Sequence, residues 1–196
     1  MNEHEQALTR EQRTEVAVLG SARLAEDDDR WQQAYRLGEM LAAAGFATIT
    51  GGYGGLMAAV SQGAHSAGGQ VIGLPMRHWV KLEPNAWNTM LRWSTDYGTR
   101  LNYIQRSNAV IALPGGVGTL SELTLAWAAR QTEARLVPLI LLGDCWPPLI
   151  AALREHLIVG DEDLQLLHFA SNPEEAVMAV KDGLRVPGQI GPGPRG

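Results

Sequence analysis

Short, uninterrupted apolar runs alternate along this chain with longer segments in which apolar positions recur every three or four residues. The short runs are typical of strands buried in a parallel sheet, and the longer spacing is typical of amphipathic helices. The runs predict strands at residues 15–20, 46–50, 70–74, 109–113, 136–142 and 166–170. The segments between them predict helices at 30–44, from 56, 97–106, from 119, 147–156 and 173–184. This alternation predicts a single α/β domain whose parallel sheet is doubly wound, with helices on both faces.

The length of 196 residues fits one domain with short terminal tails. The composition along the chain predicts a flexible polar tail at residues 1–14 and the domain at residues 15–185. It predicts a disordered tail rich in proline and glycine at residues 186–196. Residues 76–96 lack periodicity, although part of this segment could form a short strand, and they include Trp79, Trp87 and Trp93. These rings either stack on an aromatic base or fill a core edge or an oligomer contact.

The strongest chemical signal lies in residues 109–122, which read A-V-I-A-L-P-G-G-V-G-T-L-S-E. A buried strand here runs into a glycine-rich turn, and a helix opens at Thr119. Glycines let the backbone approach a ligand closely, and free N–H groups at a helix start attract anions. The sequence therefore predicts an anion site, most often a phosphate site, formed by Gly115, Gly116, Val117, Gly118 and Thr119.

Two further turns are expected at the same edge of the sheet, because the carboxyl ends of parallel strands meet there. They follow the first and second predicted strands and contain Gly20, Ser21, Gly51, Gly52, Gly54 and Gly55. The start of the helix containing Arg100 is expected to join them. The first strand is not followed by a G-x-G-x-x-G dinucleotide fingerprint, and the chain has no G-x-x-x-x-G-K-[ST] loop. A single phosphate is therefore a better match than a pyrophosphate or a triphosphate.

Glu122 and Arg100 are the candidate catalytic residues, and each has a structural alternative. Thr119 and Glu122 have the spacing of a capping box, which spacing alone favours over catalysis. A carboxylate beside an anion site is also suited to glycosyl transfer, where it stabilises a cationic sugar or activates water. Arg100 lies in the first turn of its helix, where a cation is mildly unfavourable unless it meets an anion. Its alternative is a solvated surface arginine.

Composition narrows the possible partners and the compartment. The net charge of −5 argues against a general nucleic-acid binder. Cys145 is the only cysteine, which predicts a reducing, cytoplasmic location, and its own side chain is expected to be small and buried. No apolar run reaches the roughly 20 residues of a membrane span. The acidic residues 26–29 are interpreted as a helix N-cap and first turn rather than a metal site, so no metal is expected.

The glycine-rich turns resemble those of the LOG family, named after the plant protein "lonely guy". Residues 114–122, P-G-G-V-G-T-L-S-E, resemble its P-G-G-x-G-T-x-x-E signature. Residues 50–57, T-G-G-Y-G-G-L-M, resemble its upstream G-G-x-x-G-x-M segment, and Gly20 and Ser21 resemble its early G-S loop. The similarity spans roughly residues 15–182, which is nearly the whole predicted domain.

This resemblance implies a Rossmann-like fold and a phosphoribohydrolase that cleaves a nucleoside 5′-monophosphate into free base and ribose 5-phosphate. The family's glutamate maps to Glu122 and its arginine to Arg100, and its phosphate-binding turn maps to residues 115–119. Met57 and the turn at residues 51–55 are expected to border the pocket. The resemblance also implies a homodimer, a small-molecule substrate and no cofactor.

Two positions depart from the family pattern. Leu101 follows Arg100 where typical members have lysine, and Ala58 follows Met57 where many have glycine or glutamate. The pattern of cytokinin-specific members is therefore incomplete, which argues against a specific cytokinin role. The substrate expected here is a purine-type nucleoside monophosphate. The loss of a basic and of an acidic residue also leaves an alternative open, namely a nucleotide- or cofactor-binding protein, such as a carrier, that has no turnover.

Overall fold

The computed structural model of the protein describes residues 13–79, 81–132 and 137–185. Its described strands form one parallel sheet of seven strands in the order β4-β3-β2-β1-β5-β6-β7. Their bounds are β1 Glu15–Leu19, β2 Ala47–Thr50, β3 Val71–Gly73, β4 Met90–Leu91, β5 Ala109–Ala112, β6 Leu139–Leu142 and β7 His168–Ala170. The order reverses between β1 and β5, which is where such sheets bind ligands.

Helices cover both faces of this sheet, as the alternation of elements predicts. Their bounds are α1 Asp29–Ala43, α2 Leu56–Ser66, α3 Tyr97–Gln105, α4 Val117–Thr132, α5 Trp146–His156, α6 Asp161–Leu164 and α7 Pro173–Arg185. Successive residues of β1 point to opposite faces. Val16 and Val18 pack with apolar residues of α1, α2 and α7, whereas Ala17 and Leu19 pack with those of α3, α4 and α5. The predicted doubly wound, Rossmann-like α/β fold is confirmed.

The predicted elements differ from the observed ones mainly at their ends. Each predicted strand is longer than the observed one by one or more residues, and residue 136 lies outside the described residues. The short strand expected within residues 76–96 is β4, and α6 was not predicted. Helix α4 begins at Val117, two residues before the predicted start, which changes the interpretation of Glu122 below. The predicted terminal tails lie outside the described residues except for residues 13 and 14.

The acidic run before α1 caps that helix, as predicted. The Asp28 carboxylate accepts a hydrogen bond of 2.9 Å from the backbone N–H of Arg30. At the other end of α1, Gly45 has a φ of 82°, a conformation that glycine adopts without steric cost. Within the described residues, no helix combines the length and the apolar character that a membrane crossing requires.

Helices α1 and α2 touch through two glycines that the sequence did not single out. A methyl group at Gly38 would overlap the backbone carbonyl of Val60, and one at Gly63 would overlap that of Tyr35. The two backbones can approach this closely only because both positions lack a side chain. The contact fixes α2, and therefore the glycine turn that precedes it, against α1.

We expect Gly63→Ala to destabilise the fold, although Ala is favoured over Gly within a helix by about 1 kcal/mol. Overpacking a close contact costs about 1–3 kcal/mol and here involves a backbone carbonyl that a side-chain rotation cannot relieve. Urea unfolding should give a lower free energy of unfolding for this variant. Gly118→Ala is the matched control, since nothing lies within 4 Å of its added methyl group. Equal stability of the Gly63→Ala and wild-type proteins would contradict the close contact.

Candidate functional site

Three loops meet at the carboxyl edge of the sheet, where the order of its strands reverses. Ser21, after β1, donates its backbone N–H to the carbonyl of Pro114 at 3.1 Å. The carbonyl of Ser21 accepts a hydrogen bond of 2.8 Å from the N–H of Leu56, the first residue of α2. The Gly20-Ser21 loop therefore lies between the two glycine turns and joins them, and the structure brings together the loops that the sequence placed at this edge.

The turn after β5 presents backbone N–H groups to solvent at the start of α4. Its residues 115–118 are exposed, and Val117 is 83% exposed. The first bond along the helix runs from the N–H of Leu120 to the carbonyl of Gly116, at 3.0 Å. The three preceding N–H groups have no carbonyl of the same helix to bond. This is the geometry of an anion site at a helix N-terminus.

Thr119 supports this turn from inside. Its side chain is buried and lies where a methyl group on Gly115 would be, so only glycine fits at position 115. No such constraint applies to Gly116 and Gly118, which have open space beside their backbones. That open space is available to a ligand.

Glu122 does not form the capping box that its spacing favoured. Because α4 begins at Val117, Glu122 is in the second turn of the helix, beyond the backbone N–H groups of the first turn. Its side chain turns inward and is only 8% exposed. Its Oε1 accepts a hydrogen bond of 3.2 Å from the Nε of Arg100. The carboxylate is therefore part of a buried ion pair between α3 and α4.

Arg100 is not a solvated surface residue either, since it is only 5% exposed. Its helix is capped by Asp96, which accepts a hydrogen bond of 2.8 Å from the N–H of Thr99. Besides Glu122, the guanidinium donates through Nη1 to the carbonyl of Gly51 at 3.3 Å and to that of Leu74. These carbonyls lie at the ends of β2 and β3, so Arg100 joins α3 and α4 to the middle of the sheet edge.

The turn at residues 51–55 packs directly against Arg100. A methyl group on Gly51 would overlap both the sulfur of Met57 and the guanidinium of Arg100. Gly55 has a φ of 63°, and a methyl group there would overlap the carbonyl of Ser21. The backbone carbonyl of Gly52 accepts a hydrogen bond of 3.1 Å from the side-chain amide of Asn88, which lies in the loop before β4. Gly54 is exposed and has only one neighbouring atom within 4 Å, at 3.7 Å.

Tyr97 and Ser121 were missing from the candidates that the sequence supplied, and Trp79 was named there as one of three tryptophans that either stack on a base or fill a core edge. Trp79 lies over Arg100, with 5.8 Å between the guanidinium carbon and the ring centre. Tyr97 and Ser121 share a hydrogen bond of 2.6 Å that joins α3 to α4. The sequence marked the tryptophan segment but not which ring reaches the site. Tyr97 is one helical turn from Arg100 and Ser121 is next to Glu122. This closeness in sequence is weak evidence that a residue belongs to the site.

Cys145 is exposed, so the prediction of a buried side chain was wrong. The cysteine directly precedes α5, and Trp146 occupies the buried position instead. Among the described residues, no group of three or more His, Cys, Asp or Glu side chains could hold a metal ion.

The environment of Glu122 shifts its ionisation. Burial raises the pKa of the Glu122 carboxyl above its ordinary value, and the charge and hydrogen bond of Arg100 oppose that rise. An ordinary glutamate has a pKa of about 4.3. Between that value and the raised pKa, the folded chain holds a proton that the unfolded chain has released. This proton stabilises the folded protein fully at pH values below about 4.3. The stabilisation is lost as the pH rises from there through the raised pKa of Glu122.

We therefore expect the stability of the wild-type protein, relative to Glu122→Gln, to fall as pH rises above about 4.3. Chemical unfolding of both proteins at a series of pH values measures this difference. Arg100→Met serves as the companion variant. Its loss of the cation that lowers the Glu122 pKa should extend the fall to higher pH. A wild-type protein whose stability relative to Glu122→Gln instead rises with pH below about 4.3 and is constant above it would show that the pKa is lowered.

The amino-acid sequence of this chain is similar to those of several known proteins. It is 33% identical over 132 residues to an uncharacterized protein of Archaeoglobus fulgidus, covering 65% of this chain and 83% of that one. It is 28% identical over 157 residues to a probable cytokinin riboside 5′-monophosphate phosphoribohydrolase of Oryza sativa. That match covers 76% of this chain and 64% of the rice protein, so less than two thirds of the rice protein's length is matched.

Solved structures show the same fold. The molybdenum cofactor carrier protein of Chlamydomonas reinhardtii superposes with a TM-score of 0.72 at 27% identity, covering 89% of this chain and all of that one. The family model described as SLOG cluster4 matches residues 13–177. The match and the named relatives confirm the resemblance to the LOG family that the glycine turns predicted. The chain belongs to the SLOG cluster4 family.

Proposed function

We propose that this chain hydrolyses the N-glycosidic bond of a nucleoside 5′-monophosphate, giving free base and ribose 5-phosphate. The observation that best supports it is a buried carboxylate one helical turn from an open anion site. Glu122 follows Gly118 by four residues, which is about 6 Å along the axis of α4. That distance suits a ribose whose 5′-phosphate binds the backbone N–H groups of residues 116–119. The name of the rice relative, a phosphoribohydrolase, agrees with this reaction.

In this proposal, cleavage of the bond between C1′ and the base nitrogen leaves positive charge on the ribose ring. The Glu122 carboxylate stabilises that charge and accepts a proton from the attacking water, whose oxygen bonds to C1′. The departing base takes up a proton from solvent and Glu122 returns its proton to solvent, so that one water is consumed for each bond cleaved. Glu122 acts in its ionised form, so we expect activity to rise with pH through its raised pKa. The charge of Arg100 keeps that pKa from rising further.

In this proposal Arg100 does not contact the substrate anion that its place in the first turn of α3 suggested. Its Nε and Nη1 atoms already donate to Glu122 and to two backbone carbonyls. We propose that Arg100 is a positioning residue, which holds the carboxylate in place and keeps it ionised. The phosphate charge is then met mainly by the start of α4, and Met57 borders the pocket behind Gly51.

A binding protein without turnover is the alternative. The carboxylate of Glu122 is already paired with Arg100, and this pairing weakens it as a base. The likeness to the molybdenum cofactor carrier protein of Chlamydomonas reinhardtii is compatible with this alternative. Both functions use the same anion site, and they differ in whether free base appears. The homodimer and the cytoplasmic location stay predictions that accompany either function.

We expect Glu122→Gln to lower the rate of base release from nucleoside 5′-monophosphates by about 10²–10⁴-fold, the usual contribution of a general acid–base group. The amide can still accept the hydrogen bond from Arg100 but has no charge. Chromatography of free base measures the rate across a panel of nucleotides.

Glu155→Gln is the matched control, because Glu155 is exposed on α5. Circular dichroism should confirm that both variants are folded, since an unpaired buried Arg100 is destabilising. A folded Glu122→Gln protein with the wild-type rate would exclude Glu122 from the reaction. Tight nucleotide binding by the wild-type protein without base release would favour the carrier.

A further inference from the structure

Trp79 is a partly exposed aromatic ring beside a buried ion pair. It is 40% exposed, and it precedes residue 80, which lies outside the described residues. Its ring lies over the guanidinium of Arg100 at 5.8 Å and against the ring of Tyr53 at 5.7 Å, with an angle of 31° between the two rings. A large ring left partly exposed at the edge of a site offers apolar area to a ligand.

Trp79 is held in place by its surroundings. Its backbone N–H donates to the carbonyl of Met76 at 3.2 Å, and its carbonyl accepts from the N–H of Leu82 at 2.9 Å. The hydroxyl of the buried Tyr53 accepts a hydrogen bond of 2.8 Å from the N–H of Met76. Tyr53 therefore supports the ring from below and anchors the loop that carries it. A preorganised ring loses little conformational freedom when a ligand stacks on it.

The contacts place the groups of the site in a definite spatial order. The open N–H groups start α4, Glu122 follows one turn later, Arg100 contacts Glu122, and Trp79 contacts Arg100. A nucleoside monophosphate has its phosphate, sugar and base in the same order. If the phosphate binds at the start of α4 and the ribose at Glu122, the base reaches the side of the site where Trp79 lies.

We infer that Trp79 is the residue that binds the flat heteroaromatic base, by stacking on the uncovered part of its ring. This inference rests on the proposed function for the position of the phosphate and the sugar. The inference adds that stacking on Trp79 makes the affinity for the nucleotide depend on its base. The other two tryptophans of the segment have different neighbours, since Trp93 contacts Arg77 and Trp87 contacts His65.

The test compares ligands with and without a base. Adenosine 5′-monophosphate and ribose 5-phosphate share the phosphate and the sugar, so the ratio of their dissociation constants isolates the base. Calorimetry is carried out in a Glu122→Gln background, in which turnover is expected to be slow, and this background is common to every protein compared. We expect Trp79→Ala to weaken binding of the nucleotide by about tenfold or more, as for other base–aromatic stacks, and to leave binding of ribose 5-phosphate unchanged. Trp79→Phe, which retains a ring, should keep most of the affinity.

Trp93→Ala is the matched control, because Trp93 lies in the same segment and is 42% exposed. It should change neither dissociation constant. Equal weakening of both ligands by Trp79→Ala would show that the ring only supports Arg100, and this result would overturn the inference. An unchanged affinity for the nucleotide, or no binding of it by the background protein, would also overturn it. Base release by the wild-type protein is assayed separately, so a failure of hydrolysis is distinguishable from a failure of stacking.

Discussion

The buried ion pair between Arg100 and Glu122 is the interaction on which the site depends. Both side chains are almost completely removed from water, and a buried charge without a partner is strongly destabilising. The pair is compensated by further hydrogen bonds, since the guanidinium also donates to the carbonyls of Gly51 and Leu74. One guanidinium thus fixes the position of two helices relative to two strand ends. Removing either charge would disturb the site and the packing around it together.

The glycines of the edge make room for this arrangement. Gly51 allows Arg100 to lie against the backbone after β2, and Gly115 allows Thr119 to pack against the turn after β5. Gly38 and Gly63 act further away, by bringing α1 and α2 into backbone contact. A methyl group at Gly38 or Gly63 would overlap a backbone carbonyl that cannot move easily. The glycines therefore fix distances between elements, and most of them do not confer flexibility.

The segment between β3 and α3 packs over Arg100 at one side of the candidate site. Its described residues form one short strand, and hydrogen bonds of Tyr53, Asn85 and Asn88 join it to the turn after β2. Through Trp79 it covers Arg100, which lowers the local dielectric and strengthens the ion pair. Burial of Glu122 itself raises the pKa of its carboxyl.

The sequence by itself determined the α/β class, the strands and the glycine turns. Apolar runs such as residues 109–112 are long enough to be recognised locally, and the turns need glycine for local steric reasons. It also supplied Glu122 and Arg100 as candidates, through spacing and resemblance. Local spacing misjudged the helix start, and so it favoured a cap for Glu122. The tertiary structure alone decided that Glu122 pairs with Arg100, that both are buried, and that Trp79 rather than Trp93 reaches them. These contacts join residues that are far apart in the chain, and they depend on how helices and loops pack across the sheet edge, which no local pattern encodes.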